Sequence, residues 1–405
     1  MERIDAGLLI PGRGEPVRDA TVLIDGARIS YAGPASGAPP APGVAARPAA
    51  TVLPGLWDCH GHFMGSRAMD LAKLAAEPVQ LRAARSARDL INALNAGVTS
   101  VREVGGLGVY LAQAVREGLL DGPSVYAAGA VLSVTGGHGD LHCYPLAWVA
   151  DFGRHDGTFR LADGTSECMR AVREQLRRGA AVIKVCASGG VLSEVDDPVH
   201  QQFTDSELRT IVEVAALADR VVAAHCHGKP GIMAALRAGV ATIEHGTYLD
   251  EEVCDAMLET GAILVPTRSI IEDILLHLEK VPPYAAAKLV AIADIHADAM
   301  RLAIERGVTV AMGTDIGLTG LDLPNSWGTN GSELVHLVRL GMTPLQAIEA
   351  ATATAPRSGL LAAGYDADLL CVAGDPLADI SILARPDAIT GVWVGGRQVK
   401  GQGAP

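Results

Sequence analysis

Apolar and polar positions along the chain fall into two regimes. Up to about residue 50 the apolar runs are short. Ala6-Gly7-Leu8-Leu9-Ile10 and Thr21-Val22-Leu23-Ile24 predict strands. Asp25-Gly26 predicts a hairpin turn, with Arg28-Ile29-Ser30-Tyr31 returning beside it. The Ala-, Pro- and Gly-rich stretch 34–48 reads as a linker. Beyond Val52, apolar runs of strand length alternate with segments of helical period. The strands are expected at 52–62, 97–104, 124–133, 180–186, 220–224, 241–245, 262–266 and 308–315. Helical pattern fills 69–96, broken near Pro78, and recurs after nearly every later strand. Residues 140–165 and 187–203 read as long loops, the second followed by a capping box at Thr204-Asp205-Ser206-Glu207.

Alternating strands and helices build a parallel sheet, and eight repeats predict a closed (β/α)8 TIM-like barrel. Strand character returns at 367–372 and 391–396. Strands at both chain ends predict a small β-sandwich domain assembled from the two termini. The expected division is therefore 1–53 and 363–405 for the β-domain and 54–362 for the barrel.

Composition narrows the class. The chain has 405 residues, 49% hydrophobic and only 4% aromatic, which suits a large core of small aliphatic side chains. The net charge is 33 − 46 = −13 with no basic run, so no nucleic-acid partner is expected. Seven cysteines lie scattered without a Cys-x-x-Cys pair, which fits a reducing compartment. The first ten residues lack the features of a signal peptide, and no apolar run reaches the roughly 18 residues of a membrane span. A cytoplasmic protein without membrane partners is expected, acting on a small molecule, with homo-oligomerisation left open.

The candidate chemistry sits at strand ends. His60 and His62, two apart on one strand, face the same side and form half a site for a divalent transition metal. The fourth strand gives Lys184, the fifth His225, the sixth His245 and the eighth Asp315. Active sites of barrels lie at these C-terminal strand ends. Imidazoles with a carboxylate fit zinc, manganese or nickel better than calcium. Lys184 follows apolar Val182-Ile183, where an ammonium is costly. It reads either as a buried partner of Asp315 or as an amine converted by carbon dioxide to a carbamate, an anion able to bridge two metals.

These residues resemble the amidohydrolase superfamily, in its binuclear group with a carboxylated lysine. The likeness rests on Pro54-Gly55-Leu56-Trp57-Asp58-Cys59-His60-Gly61-His62, Ile183-Lys184, Ala224-His225-Cys226-His227-Gly228, Glu244-His245-Gly246 and Gly313-Thr314-Asp315. The loops Thr135-Gly136-Gly137-His138-Gly139 and Ser188-Gly189-Gly190-Val191 are similar to those of imidazolonepropionase-related prolidases and N-acyl-amino-acid hydrolases. The resemblance implies two divalent ions, expected to be zinc. His60, His62, Lys184 and Asp315 would hold one; Lys184, His225 and His245 the other. It implies that His138 meets the substrate carbonyl. His227 stands where those prolidases often carry a Tyr that contacts the substrate carboxylate, and Arg268, after strand seven, is a second candidate for an anionic group. A salt bridge to a neighbouring helix is the alternative for Arg268.

The expected reaction is hydrolysis of an amide C–N bond in a dipeptide or N-acyl amino acid. A metal-bridging hydroxide attacks, and Asp315 moves the proton to the leaving nitrogen. The rivals are hydrolysis of a hydrophobic amide, carbamate, lactone or phosphotriester on the same centre, a mononuclear imidazolone hydrolase or deaminase, and a scaffold without activity. Lys184 argues against the mononuclear reading, and the complete ligand set against the scaffold. Gly105-Gly106-Leu107-Gly108 lacks the spacing of a dinucleotide fingerprint.

Overall fold

The computed structural model describes residues 1–155, 158–354 and 359–401. Its strands are β1 (Glu2–Leu9), β2 (Val17–Asp25), β3 (Arg28–Pro34), β4 (Ala46–Pro54), β5 (Leu56–Ser66), β6 (Val98–Glu103), β7 (Ser124–Ala127), β8 (Val131–Ser133) and β9 (Phe159–Leu161). There follow β10 (Ile183–Cys186), β11 (Val222–Cys226), β12 (Thr242–His245), β13 (Ile263–Val265), β14 (Ile316–Leu318), β15 (Leu369–Val372), β16 (Ile389–Val394) and β17 (Arg397–Lys400).

The chain ends meet in one sheet, in the order β17-β16-β15-β4-β1-β2-β3. The strand β4 joins them: it runs parallel to β1 on one edge and antiparallel to β15 on the other. Part of the stretch read as a linker is thus strand. Because β4 bonds to both ends of the chain, the pairing gives one continuous mixed sheet rather than two. Ile4, Leu9, Val22, Ile24, Val52 and Trp393 fill a core of its own.

The middle of the chain forms two parallel sheets, β13-β12-β11-β10-β8-β9 and β14-β5-β6-β7. Four of their strands, β5, β10, β11 and β12, are buried along their whole length, as parallel strands covered by helices are expected to be. Further backbone bonds run beyond the assigned strands. Ala181 donates to Ala127 (2.8 Å), Leu264 to Thr309 and Ala311 to Leu264 (2.9 Å each), Cys59 to Met312 (2.8 Å) and Asp315 to His60 (2.7 Å). The segment expected as strand eight is present mainly as this bonded stretch, and β14 follows it.

Helices separate most of these strands. The helix Asp205–Ala216 starts at the expected box: Thr204 Oγ1 accepts the Glu207 N–H, and the Glu207 carboxylate accepts that of Thr204. Thr165–Arg178 and Lys229–Ala238 stop at Gly179 and Gly239, with φ of 96° and 91°, where a Cβ would be strained. Two readings are corrected in detail. The helical segment 69–96 is a short 3-10 turn, Leu71–Ala76, then the helix Val79–Asn95, separated at Pro78. The stretch 140–165, expected as loop, contains the helix Leu146–His155 and β9. Trp148 on that helix is exposed, which weakened its amphipathic signal. Among the described residues no helix is long and apolar enough to cross a membrane.

Candidate metal centre

The strand β5 carries His60 and His62 on one face. Gly61 between them lies against Trp327: an added Cβ would come 2.7 Å from the indole. Trp327 is fully buried, stacks on Phe63 with centroids 4.1 Å apart, and donates Nε1–H to the His62 carbonyl at 3.1 Å. Packing on the far side of β5 thereby fixes both imidazoles. Nε2 of His62 and of His60 lie 3.1 and 3.4 Å from Asp315 Oδ1. Together the three offer ligand atoms within 4.8 Å of one another. Burial opposes charge on Asp315, but the two histidines outweigh it and hold its carboxyl well below the usual range. For His62, burial is likewise outweighed by Asp315, and its pKa is raised.

A second triad, His225, His227 and His245, meets the same distance condition. Its ring centroids lie 4.6–4.8 Å apart, and His245 is 5.1 Å from His60. Both triads therefore form one cluster. Burial, then neighbouring imidazoles, drives His225 and His245 well below the ordinary histidine value and His227 down to about 3. These rings stay neutral at pH 7, the state a metal needs.

Bonds to one ring nitrogen leave the other for a ligand. Nδ1 of His60 lies 2.7 Å from Glu244 Oε2, that of His62 2.8 Å from the Gly105 carbonyl, that of His227 2.7 Å from Thr247 Oγ1 and that of His245 2.7 Å from Thr267 Oγ1. Only His225 is reversed: its Nε2 lies 3.1 Å from the Gly189 carbonyl, which leaves Nδ1 free. Partners of this kind are what orient metal-binding imidazoles. Two of the clustered residues, His245 and Asp315, have left-handed backbone, φ 72° and 58°. Such conformations cost roughly 1–3 kcal/mol each and persist where the surroundings impose them.

Lys184 lies on β10 beside β11 and β8, in register with Ala223 and Val131. Its Nζ is buried and has no hydrogen-bond partner among the described residues. The alternative ion pair with Asp315 is not formed. Burial lowers its pKa, which favours the neutral amine. A buried amine without an acceptor, beside one triad of imidazoles and one of two imidazoles and a carboxylate, fits a centre of two cations and a bridging anion.

Several supporting residues escaped the sequence reading. Glu244 was visible only as part of a motif. It accepts from His60 and takes both Arg102 contacts at 2.7 and 2.8 Å. Burial raises its pKa, but Arg102 and then His60 reverse the shift. Asp58 accepts from Thr314 Oγ1 (2.6 Å), Asn330 Nδ2 (2.8 Å) and the His60 N–H (3.1 Å). It ties β5 to the Thr314-Asp315 turn. The glycine run after β6 also gains a purpose. A Cβ at Gly106 or Gly108 would lie 2.5 or 2.6 Å from the carboxyl of Glu103, whose pKa burial pushes up to about 7.

The cluster lines a cavity of ≈ 1060 Å³ including its open mouth. Lys184, His138 and His227 line it too; most of the remaining wall is apolar, including Met69, Phe159, Ile271, Leu289 and Leu318. His138 stacks on His225 with centroids 4.3 Å apart, and burial lowers its pKa. Arg268 is not brought to this cavity. It starts the helix Arg268–Leu275, and its guanidinium bonds Glu272 (2.8 Å) and the Ala293 carbonyl (2.7 Å). Its ion pair is thus made within its own helix, at i,i+4, and the neighbouring helix supplies a carbonyl rather than the expected salt bridge. His227 sits among the imidazoles, its ligand atom within 4.8 Å of those of His225 and His245, so it could hold a metal with them.

A family model described as Amidohydrolase family matches residues 51–399. A protein of Aspergillus niger named ochratoxinase is 43% identical over 425 aligned positions, covering 99% of this chain and 87% of its own. The crystal structure of A. niger ochratoxinase superposes with a TM-score of 0.91 at 42% identity, over 99% of this chain and 96% of that one. A prolidase complexed with N-methylphosphonate-L-proline gives 0.89 at 33% identity, over 99% and 100%. A Xaa-Pro dipeptidase with methionine bound in its active site gives 0.86 at 32% identity, over 99% and 100%.

Proposed function

The chain belongs to the amidohydrolase family and is a hydrolase of amide C–N bonds; we propose that its substrates are dipeptides or N-acyl amino acids with an apolar flank. The observation that carries this reading is the convergence of two ligand triads and the unpartnered Lys184 on one largely apolar cavity. Relatives named prolidase and Xaa-Pro dipeptidase support the amino-acid portion. The relative named ochratoxinase supports a second reading, a bulkier hydrophobic amide, which the apolar wall also fits.

In this proposal the parallel strands close into a (β/α)8 barrel, supported by the backbone bonds from Leu264 through Thr309–Met312 to Cys59. The barrel spans 54–362, and 1–53 with 363–405 make the β-domain. Two divalent ions, zinc by preference, would be held by His60, His62, Asp315 and Lys184 and by Lys184, His225 and His245, with His227 within reach of the second set. The Lys184 amine would add to carbon dioxide and lose a proton, giving a carbamate that could offer oxygen ligands to the ions. The ions, when bound, supply water activation and carbonyl polarisation.

The remaining chemistry belongs to the side chains. Asp315 accepts a proton from the attacking water and delivers it to the departing nitrogen. His138 donates a hydrogen bond to the carbonyl oxygen as charge develops there. His60, fixed by Glu244, and His62, fixed by Gly105, hold Asp315 in place. The apolar wall takes the side chain of the substrate and excludes water. A small-molecule substrate needs no nucleic acid or membrane, and homo-oligomerisation is compatible with the scheme. A cytoplasmic location is part of the proposal; the seven unpaired cysteines support it.

The test is a hydrolysis screen of metal-replete protein across dipeptides and N-acyl amino acids, graded from apolar to polar, with ester, lactone and phosphotriester controls. Free amino acid should appear, fastest from apolar members. Turnover confined to the controls would contradict the reading.

A further inference from the structure

The segment 187–203 leaves β10 and returns on itself. Ser188 bridges Gln201, Gly189 donates to His200 (3.1 Å) and Gln202 donates to Ala187 (2.9 Å). Its inner face holds His138. Ser193 Oγ lies 2.8 Å from His138 Nδ1, and Gln202 Oε1 accepts the His138 backbone N–H at 3.1 Å. Gly190 passes so close that an added Cβ would lie 2.0 Å from His138 Nδ1. The segment itself is gathered around Asp196, whose Oδ2 accepts from Gly190 N (2.8 Å) and Gln202 Nε2 (3.0 Å).

Backbone bonds tie the two ends of this segment to β11 and the turn after it, as Ala187 N–H to the His225 carbonyl (2.9 Å) and Gly228 N–H to the Pro198 carbonyl (2.9 Å), and the stretch that touches His138 is held by a cation from another element. Lys288, on the helix Pro283–Glu305, donates through Nζ to the carbonyls of Gly190 (3.1 Å), Ser193 (2.7 Å) and Asp196, and lies 3.7 Å from Asp196 Oδ1. Its side chain is only 20% exposed, and that of Asp196 5%. Two of these carbonyls belong to Gly190 and Ser193, the residues that touch the His138 ring.

We propose that Lys288 is a positioning residue for His138, acting through the 187–203 segment. The argument rests on the reading of His138 as the donor to the substrate carbonyl. An ammonium bonded to several carbonyls at once sets the segment's distance from the helix. Removing it leaves those carbonyls without their donor, and the segment relaxes. A donor displaced by about 1 Å loses much of its value in the transition state while leaving ground-state binding largely intact.

The experiment measures Lys288→Met in the wild-type and His138→Gln backgrounds, on metal-replete protein with matched metal content. It also follows the nitrogen-15 resonances of the His138 ring. Lys288→Met is expected to lower kcat about tenfold, change KM by less than about twofold, and move the His138 resonances. In the His138→Gln background it should cost nothing further. Ser193→Ala, which removes the Oγ contact to the ring together with the 3.4 Å bond to the Gly190 carbonyl but leaves Lys288 in place, should give the same pattern and serves if Lys288→Met does not fold. Unmoved resonances, or a loss that adds fully to that of His138→Gln, would overturn the proposal. If His138→Gln keeps full turnover while Lys288→Met still moves the ring, the positioning stands and the role of His138 in the reaction falls.

Discussion

Glu244 Oε2 lies 2.7 Å from Nδ1 of His60, and Arg102 holds the same carboxylate from the other side. An ionised carboxylate only accepts, so His60 carries a proton on Nδ1, and Nε2 is the nitrogen that faces Asp315. Glu244→Gln removes the charge and offers a carboxamide that can present the wrong group to His60. Metal affinity is expected to fall about 10- to 100-fold, the usual cost of losing such a partner. Titration of metal-stripped protein with zinc checks this; an unchanged affinity would show that Glu244 serves only to neutralise Arg102.

Lys184→Ala should lose both metal and activity. The buried Nζ without a partner marks a side chain whose unmodified form has nothing to bind there. Small carboxylates should restore part of the turnover by replacing the lost anion. A carbon-13 carbamate signal after labelled bicarbonate is the direct readout, and a free amine in active, metal-loaded protein would refute the modification.

Asp315→Asn should damage turnover far more than binding. Asn keeps an oxygen but cannot carry the proton. A fall in kcat of about 100-fold or more with KM nearly constant is expected for loss of general acid–base catalysis. Near-normal kcat would assign the proton transfer elsewhere.

The metal cluster was legible because its ligands sit at strand ends, where a polar residue interrupting an apolar run stands out. His60, His62, Lys184, His225, His245 and Asp315 all announce themselves this way. Arg268 followed the same rule and went elsewhere. It opens a helix whose next turn supplies Glu272 and whose neighbour supplies the Ala293 carbonyl, partners that the strand pattern does not reveal. Glu244 and Asp58 were hidden for a related reason: their partners Arg102, Asn330 and Thr314 come from other strands and loops, so no local spacing records them. The same holds for Lys288, 98 residues from the Gly190 carbonyl it binds. The linker reading of 34–48 missed its last residues, 46–48, which begin β4, because that strand has neighbours on both edges that excuse its poor local strand propensity.

Asp89 gives a stability prediction away from the metal cluster. It accepts Thr319 Oγ1 at 2.5 Å, and burial pushes its carboxyl up to about 7. From about pH 4 to pH 7 the folded chain keeps a proton there that the unfolded chain releases, so this group's contribution to stability falls as pH rises through that window and is constant above it. Asp89→Asn keeps an acceptor and removes the titration. Relative to wild type it should gain stability between pH 4 and pH 8, by at most about 4 kcal/mol at about 1.4 kcal/mol for each tenfold change in proton affinity. Denaturation midpoints of both proteins at the two pH values measure this; a difference independent of pH would contradict it.

On the proposed reading, two divalent ions complete the cluster of His60, His62, Lys184, His225, His245 and Asp315. Elemental analysis of purified protein, paired with amide hydrolysis before and after chelation and after zinc is restored, tests it most directly. The account predicts close to two ions per chain, loss of activity on stripping, and its return in step with the metal. Full amide hydrolysis by rigorously metal-free protein would contradict it.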